Sequence, residues 1–322
     1  MLPSLAESPW TFRGGARLAP LPSLIAGIVN LTPDSFSDGG LYRDPDEAMA
    51  RVRQLVAEGS GIIDLGAEST RPGAEDIGPE EEMRRLRPAL ARTLAWRADT
   101  APGENPVTLL APDGTAATLP FLVSVDTFRA KTAALALEMG ADIINDVSGC
   151  TFDPRLAEVL AHYRPAYILG HSPARPADMC KNPHYEDIAE DLARYFEERL
   201  ETLAQAGLPE SRILLDPCPG FGKTTEHTLR LLERLDRLGA FGRPLFFGVS
   251  RKSFLGDITG YPARERDMHT QVITAFLARK GVAVHRVHDA RAARATLALT
   301  TLLECRPQTG PGLAEYSAAT TC

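Results

Sequence analysis

Seven polar residues, Asn30, Asp64, Asp126, Asn145, Asp216, Ser250 and His288, stand at or within a residue or two of the end of a short apolar run. Carboxylates, carboxamides, a hydroxyl and an imidazole gathered at such ends have the donors and acceptors to read the edge of a flat polar ring. Any one of them alone is equally a helix N-cap, a place that favours Asp, Asn and Ser. N-capping does not explain their recurrence at run after run.

Cationic groups accompany them. Arg286 and His288 are two apart on the last apolar run, so they face one side while His285 and Val287 face the other. A planar arginine fork beside an imidazole can grip a phosphate, although a helix-cap network around Asp289 would use the same residues. The segment GVSRKSFLG (248–256) adds Ser250, Arg251, Lys252 and Ser253 as a donor-rich turn. GFGKTTEHT (220–228) is not a nucleotide-binding P-loop, because Pro217 occupies the place of the required first glycine. Its glycines instead allow close approach of the backbone to a flat ligand, with Phe221 available to stack on it. Two further segments, 30–42 and 67–78, are rich in Gly, Pro, Ser, Thr and Asp. Such loops order over a bound molecule and exclude water, or are plain turns.

These residues need a scaffold. Strand-like runs occupy 24–30, 61–66, 121–126, 141–146, 166–170, 212–216, 244–250 and 282–289. Segments of helical period lie near 46–58, 79–96, 129–139, 154–163, 185–206, 225–238, 265–280 and 290–303. Strand followed by helix, repeated eight times, predicts an α/β fold of the (β/α)8 TIM-barrel type in a single domain. A doubly wound open sheet has the same alternation and stays open as an alternative. In a barrel, the C-terminal strand ends and the loops after them carry chemistry. The barrel is expected over 21–303, before a C-terminal tail (304–322) and after an N-terminal extension (1–20) that reads as a tail or as a strand capping the barrel floor. Residues 98–120 read as an inserted, hairpin-like segment between helix 2 and strand 3, turning at Asp113-Gly114.

Composition narrows the partners. The 322 residues carry 35 Lys and Arg against 42 Asp and Glu, a net charge of -7, which argues against coating nucleic acid. Any bound anion must be held by a local cationic cluster. No apolar run approaches the roughly 20 residues that span a bilayer, and the N-terminus lacks a signal-like apolar stretch. A cytoplasmic protein without membrane or nucleic-acid partners is expected. The five cysteines are scattered and read as reduced thiols with no shared role.

The motifs then become specific. GIVNLTPDSFSDGG (27–40), IIDLGAESTRPGA (62–74), SVDTF (124–128), IINDVSG (143–149), LLDP with GFGKT (214–224), GVSRKSFLG and RVHD (286–289) resemble, in order, those of the dihydropteroate synthases. The resemblance covers about residues 24–303. It implies a transferase that joins 6-hydroxymethyl-7,8-dihydropterin pyrophosphate to p-aminobenzoate, giving dihydropteroate and pyrophosphate. It also implies that Asp126, Asn145, Asp216 and Lys252 bind the pterin beside Phe221. Asn30, Arg286 and His288 would hold the pyrophosphate, with Mg²⁺ on Asn30. Phe36, Thr70, Arg71, Pro72 and Ser250 would form the p-aminobenzoate pocket. Asp34, Asp38 and Asp126 would oppose positive charge during catalysis, with Lys252 completing the catalytic set. A homodimer is implied as well.

One strand departs from the pattern. LGHSPARP (169–176) keeps His171 but has Gly170 and Ser172 where methionines are usual, a change bearing on affinity and specificity. A methyltetrahydrofolate-dependent methyltransferase and a non-catalytic pterin-binding paralogue remain the alternatives.

Overall fold

The computed structural model describes residues 2–32, 45–70, 73–179 and 183–304. The chain runs β1 (Arg17–Leu18), β2 (Leu24–Asn30), α1 (Pro45–Ala57), β3 (Ile62–Gly66) and α2 (Gly78–Asp99). A strand pair, β4 (Val107–Leu110) and β5 (Ala116–Leu119), precedes β6 (Leu122–Asp126), α3 (Ala130–Met139), β7 (Ile143–Asp146) and α4 (Leu156–Tyr163). Then come β8 (Ala166–Gly170), α5 (Ile188–Ala206), β9 (Ile213–Asp216), α6 (Thr225–Glu233) and α7 (Asp236–Gly239). The chain continues through β10 (Phe246–Phe247), α8 (Ser253–Thr259), α9 (Asp267–Lys280), β11 (Val284–Val287) and α10 (Ala290–Glu304).

Eight of these strands pair in parallel in the order β10-β11-β2-β3-β6-β7-β8-β9. The two ends of that sheet meet through a parallel bridge between Leu215 and Leu245, where the Leu215 N–H donates to the Pro244 carbonyl at 3.2 Å. This is the TIM barrel, and the meeting of β9 with β10 removes the open-sheet alternative.

Strand alternation sorts the side chains. Ile25, Ile63, Val123, Ile144, Tyr167 and Leu215 pack in the large core cluster that includes buried side chains of the surrounding helices. Their neighbours in sequence point into the barrel. There the lower layers are apolar, with Leu24, Ile62, Leu122, Ile143, Phe246 and Val284 forming a second cluster. Leu5, Trp10, Phe12 and Leu18 complete that cluster, and Trp10 is fully buried, donating from Nε1 to the Arg212 carbonyl at 2.7 Å. The floor is thereby sealed by the N-terminal segment, which leaves the opposite rim for polar groups.

The segment between α2 and β6 is a hairpin. The Ala111 N–H donates to the Thr115 carbonyl at 2.8 Å, Asp113 Oδ1 accepts from the Thr115 N–H at 2.9 Å, and Gly114 takes a φ of +86°. β1 pairs antiparallel with β4, making a three-stranded sheet at the sealed end, and Val107 belongs to the floor cluster.

Two stretches differ from expectation. The run 244–250 contributes only Phe246–Phe247 as strand, and the chain then turns through Arg251 at a φ of +59°. The donor-rich turn then continues into α8, which Lys252 precedes as N-cap.

Candidate active site

The polar rim surrounds a cavity of about 450 Å³. Of the expected site residues, Asn30, Thr70, Asp126, Phe221, Ser250, Lys252, Arg286 and His288 line it together, so groups from β2, β3, β6, β9, β10 and β11 converge. Asn145 and Asp216 are buried and not among the lining residues. Asn145 is the register neighbour of Asp126 and donates from Nδ2 to Asp64 Oδ2 at 3.1 Å. Asp34, Phe36, Asp38, Arg71 and Pro72 lie outside the described residues.

Charge at the cavity is organised around Arg286. Its Nε donates to Asp64 Oδ2 at 2.6 Å and its Nη2 to Asp126 Oδ2 at 2.9 Å. Burial pushes the Asp126 carboxyl up to about 7; Asp64 adds repulsion and Arg286 opposes both. The sequence pairs Arg286 with His288, whereas its guanidinium is held by two acids. His288 contacts Ser250 instead, Nδ1 to Oγ at 2.9 Å, while the His288 backbone N–H donates to the same Oγ at 3.1 Å. Burial and the nearby Arg251, Arg286, Arg51 and Lys252 hold this imidazole well below its ordinary value. A neutral ring whose Nδ1 accepts from Ser250 carries its proton on Nε2 and can donate from there. Lys252 places its ammonium 3.7 Å from the centroid of the Phe221 ring, and burial pushes it down to about 8.

Known proteins share both the sequence and the fold. Residues 26–101 and 111–288 match the model of the pterin binding enzymes, and the gap covers the link after α2 and the first strand of the hairpin, β4. A dihydropteroate synthase of Streptococcus pyogenes is 34% identical over 281 residues, covering 87% of this chain and 95% of its own. The chain belongs to the dihydropteroate synthase family. Membership makes it an enzyme, a pterin-binding transferase of folate biosynthesis. Among solved structures, the dihydropteroate synthase of Yersinia pestis in complex with a sulfonamide drug superposes with a TM-score of 0.81 at 30% identity, over 92% of this chain and 100% of that one. The Xanthomonas albilineans enzyme with 4-aminobenzoic acid gives 0.76 at 34% identity, over 88% and 94%. With 7,8-dihydropteroate, the X. albilineans enzyme gives 0.73 at 32%, over 88% and 95%.

Several residues around this family site make contacts that no local signal announces. Lys223, inside the GFGKT motif, is buried and its ammonium donates to His171 Nδ1 at 2.9 Å. It also donates to the carbonyls of His171, Phe221 and Cys218 at 3.0, 3.1 and 3.3 Å. It ties the segment after β8 to the segment after β9, beneath Phe221. Asp64 is noticeable only as a polar strand end, yet it anchors both Arg286 and Asn145. Asp216 accepts the Cys218 N–H at 2.7 Å, and burial raises its carboxyl above the ordinary range. Gly170, where the family pattern has methionine, leaves no room for a side chain. A Cβ there would stand 2.6 Å from the Asp146 carbonyl oxygen and from Val147 Cα. Ser172 turns its hydroxyl to the Ala174 carbonyl at 2.8 Å.

Proposed function

We propose that this chain condenses 6-hydroxymethyl-7,8-dihydropterin pyrophosphate with p-aminobenzoate to give 7,8-dihydropteroate and pyrophosphate. The observation that carries this reading is the convergence of Asp126, Lys252, Arg286 and His288 on one cavity. Asp216 and Asn145 read the pterin edge from the floor of the rim, and Phe221 and Lys252 flank the ring. Thr70 and Ser250 bound the p-aminobenzoate side, with Phe36, Arg71 and Pro72 assigned there by resemblance. The arylamine is neutral at pH 7, so no strong base is required. The bond from the pterin methylene carbon to the pyrophosphate oxygen breaks with its electron pair going to pyrophosphate. The arylamine nitrogen bonds to the cationic carbon left behind, and the surplus proton on that nitrogen passes to pyrophosphate or water. Arg286 and His288 stabilise the departing anion, and Asp126 opposes the positive charge on the pterin. Asp34 and Asp38 are assigned by resemblance to the same opposing role.

Mg²⁺ fits this site as a cation with few protein ligands. Among the described residues no trio of His, Cys, Asp or Glu could hold a metal, while the half-buried Asn30 offers a hard carboxamide oxygen at the cavity. When bound there with pyrophosphate, the ion neutralises charge on the leaving group.

An assay of purified protein with both substrates and Mg²⁺, following dihydropteroate, tests the reading. Folded protein with metal present that binds pterin but yields no product would favour the binding-only paralogue. Competition between a sulfonamide and p-aminobenzoate would place the arylamine in the same cavity.

A homodimer is part of the proposal. α9 exposes Met268, Val272 and Phe276 at successive turns, and the adjoining α10 exposes Leu299, Leu302 and Leu303. This apolar face suits a second copy of the chain. Val272→Asp should shift the sedimentation coefficient to that of a monomer. No helix among the described residues is long and apolar enough to cross a membrane, and Cys150 and Cys218 are free and buried. Both support a cytoplasmic setting.

A further inference from the structure

One guanidinium fastens both ends of the segment that joins β3 to α2. Arg129, just before α3, is only 8% exposed at its side chain. It meets Glu68 through both terminal nitrogens, Nη1 to Oε2 and Nη2 to Oε1, the second at 3.0 Å. Its Nη2 also reaches Asp76 Oδ1 at 2.6 Å, and its Nη1 reaches Glu82 Oε2 at 3.2 Å. Glu68 opens the segment and Asp76 nearly closes it. The ring of Phe128 lies 4.4 Å beneath the guanidinium carbon and fixes the plane of the fork. Asp76 is held from its other oxygen by Arg175 at 3.0 Å, and Oδ1 also accepts the Gly78 N–H at 2.8 Å.

Arg129 is not itself a cavity-lining residue, but Glu68, Ser69 and Thr70 are. Phe221 on the opposite wall packs against the cluster that includes Phe128, but it takes no part in the ion pairs that Glu68 and Asp76 make with Arg129. We infer that Arg129 is a positioning residue that sets the place of the Ser69–Thr70 wall, acting through Glu68 and Asp76, and thereby the affinity for the arylamine substrate. The inference rests on the function proposed above, with Thr70 on the p-aminobenzoate side.

Arg129→Lys keeps the charge and loses the fork, while Asp76→Asn loosens only the outer, half-exposed anchor. Both variants and the wild type are assayed with each substrate varied in turn, and hydrogen exchange is followed over residues 67–77. Each variant should raise KM for p-aminobenzoate about three- to tenfold, leave KM for the pterin substrate within about twofold, and speed exchange in 67–77. If Arg129→Lys fails to fold, Asp76→Asn alone decides. Parallel rises in both KM values would reduce Arg129 to a stabilising role and overturn the inference, as would unchanged exchange. A wild type that makes no dihydropteroate defeats the parent reading and the arylamine assignment with it.

Discussion

Arg286 reaches Asp126 across the barrel mouth at 2.9 Å while its Nε is occupied by Asp64 at 2.6 Å. Asp126 is therefore one of two acids sharing a single buried cation; burial, with repulsion from Asp64 added, raises its carboxyl to about 7 from an ordinary 3.8 against the pull of Arg286. If ionised Asp126 opposes positive charge on the pterin, kcat/KM should rise with pH through about 7. Asp64→Asn removes a repelling charge and leaves Arg286 to Asp126, so this acid limb should move to lower pH. A limb that stays in place or moves upward would show that Asp64 does not govern Asp126.

The same shift has a consequence for stability. The folded chain binds a proton at Asp126 that the unfolded chain has lost, so this group's contribution falls as pH rises from 3.8 towards about 7. Asp126→Asn, neutral throughout, should melt higher than wild type at pH 8 and close to it at pH 4, while losing turnover. Thermal melts at the two pH values decide this, and equal shifts at both would contradict it.

Lys252 is expected to set the alkaline limb. Burial pushes its ammonium down to about 8, so the charged donor disappears as pH rises through that value and kcat/KM should fall there. The Phe221 ring face stabilises the ammonium at 3.7 Å, so Phe221→Leu should move the limb towards acid. Lys252→Ala should cost about a hundredfold or more in kcat/KM with the melting temperature retained, because it removes a poorly solvated charge. Near-normal turnover of that variant would remove Lys252 from the mechanism.

Lys223 joins two loops through one side chain and three carbonyls. Lys223→Met should lower unfolding stability by about 2–4 kcal/mol, since buried acceptors lose their donor. It should also raise KM for the pterin substrate, because Phe221 stands on the segment that Lys223 secures. Urea unfolding with steady-state kinetics checks both, and a loss of stability without a change in KM would make Lys223 purely structural.

The barrel was legible because its strands, buried on both faces, read as continuous apolar runs with one polar residue at the end. Asp126, Arg286 and His288 could be found that way. The pairings could not. Nothing local in sequence says that Arg286 turns to Asp64 rather than to His288, or that Arg129 reaches Glu68, 61 positions away. Lys223 binds mostly carbonyls, which leave no side-chain motif. α8 was hidden because a run of donors reads as a turn, and its first residues follow a left-handed Arg251. The N-terminal segment lacked a period of either kind, so a strand under the barrel floor was only one of its readings.

That segment supplies the last test. Trp10 is fully buried in the floor cluster, and its Nε1 satisfies the Arg212 carbonyl at 2.7 Å. Trp10→Ala should cost about 3–5 kcal/mol through the cavity it leaves, with the unpaired carbonyl adding to the loss. Trp10→Phe keeps most of the volume and should cost less. The active site lies at the other end of the barrel, so kcat of the folded fraction should match wild type in both. Within the hairpin, Gly114→Ala should cost about 1 kcal/mol at its positive φ, whereas Val107→Asp, at a floor position, should prevent folding. If Val107→Asp were tolerated as well as Gly114→Ala, the hairpin would be an appendage and not part of the seal.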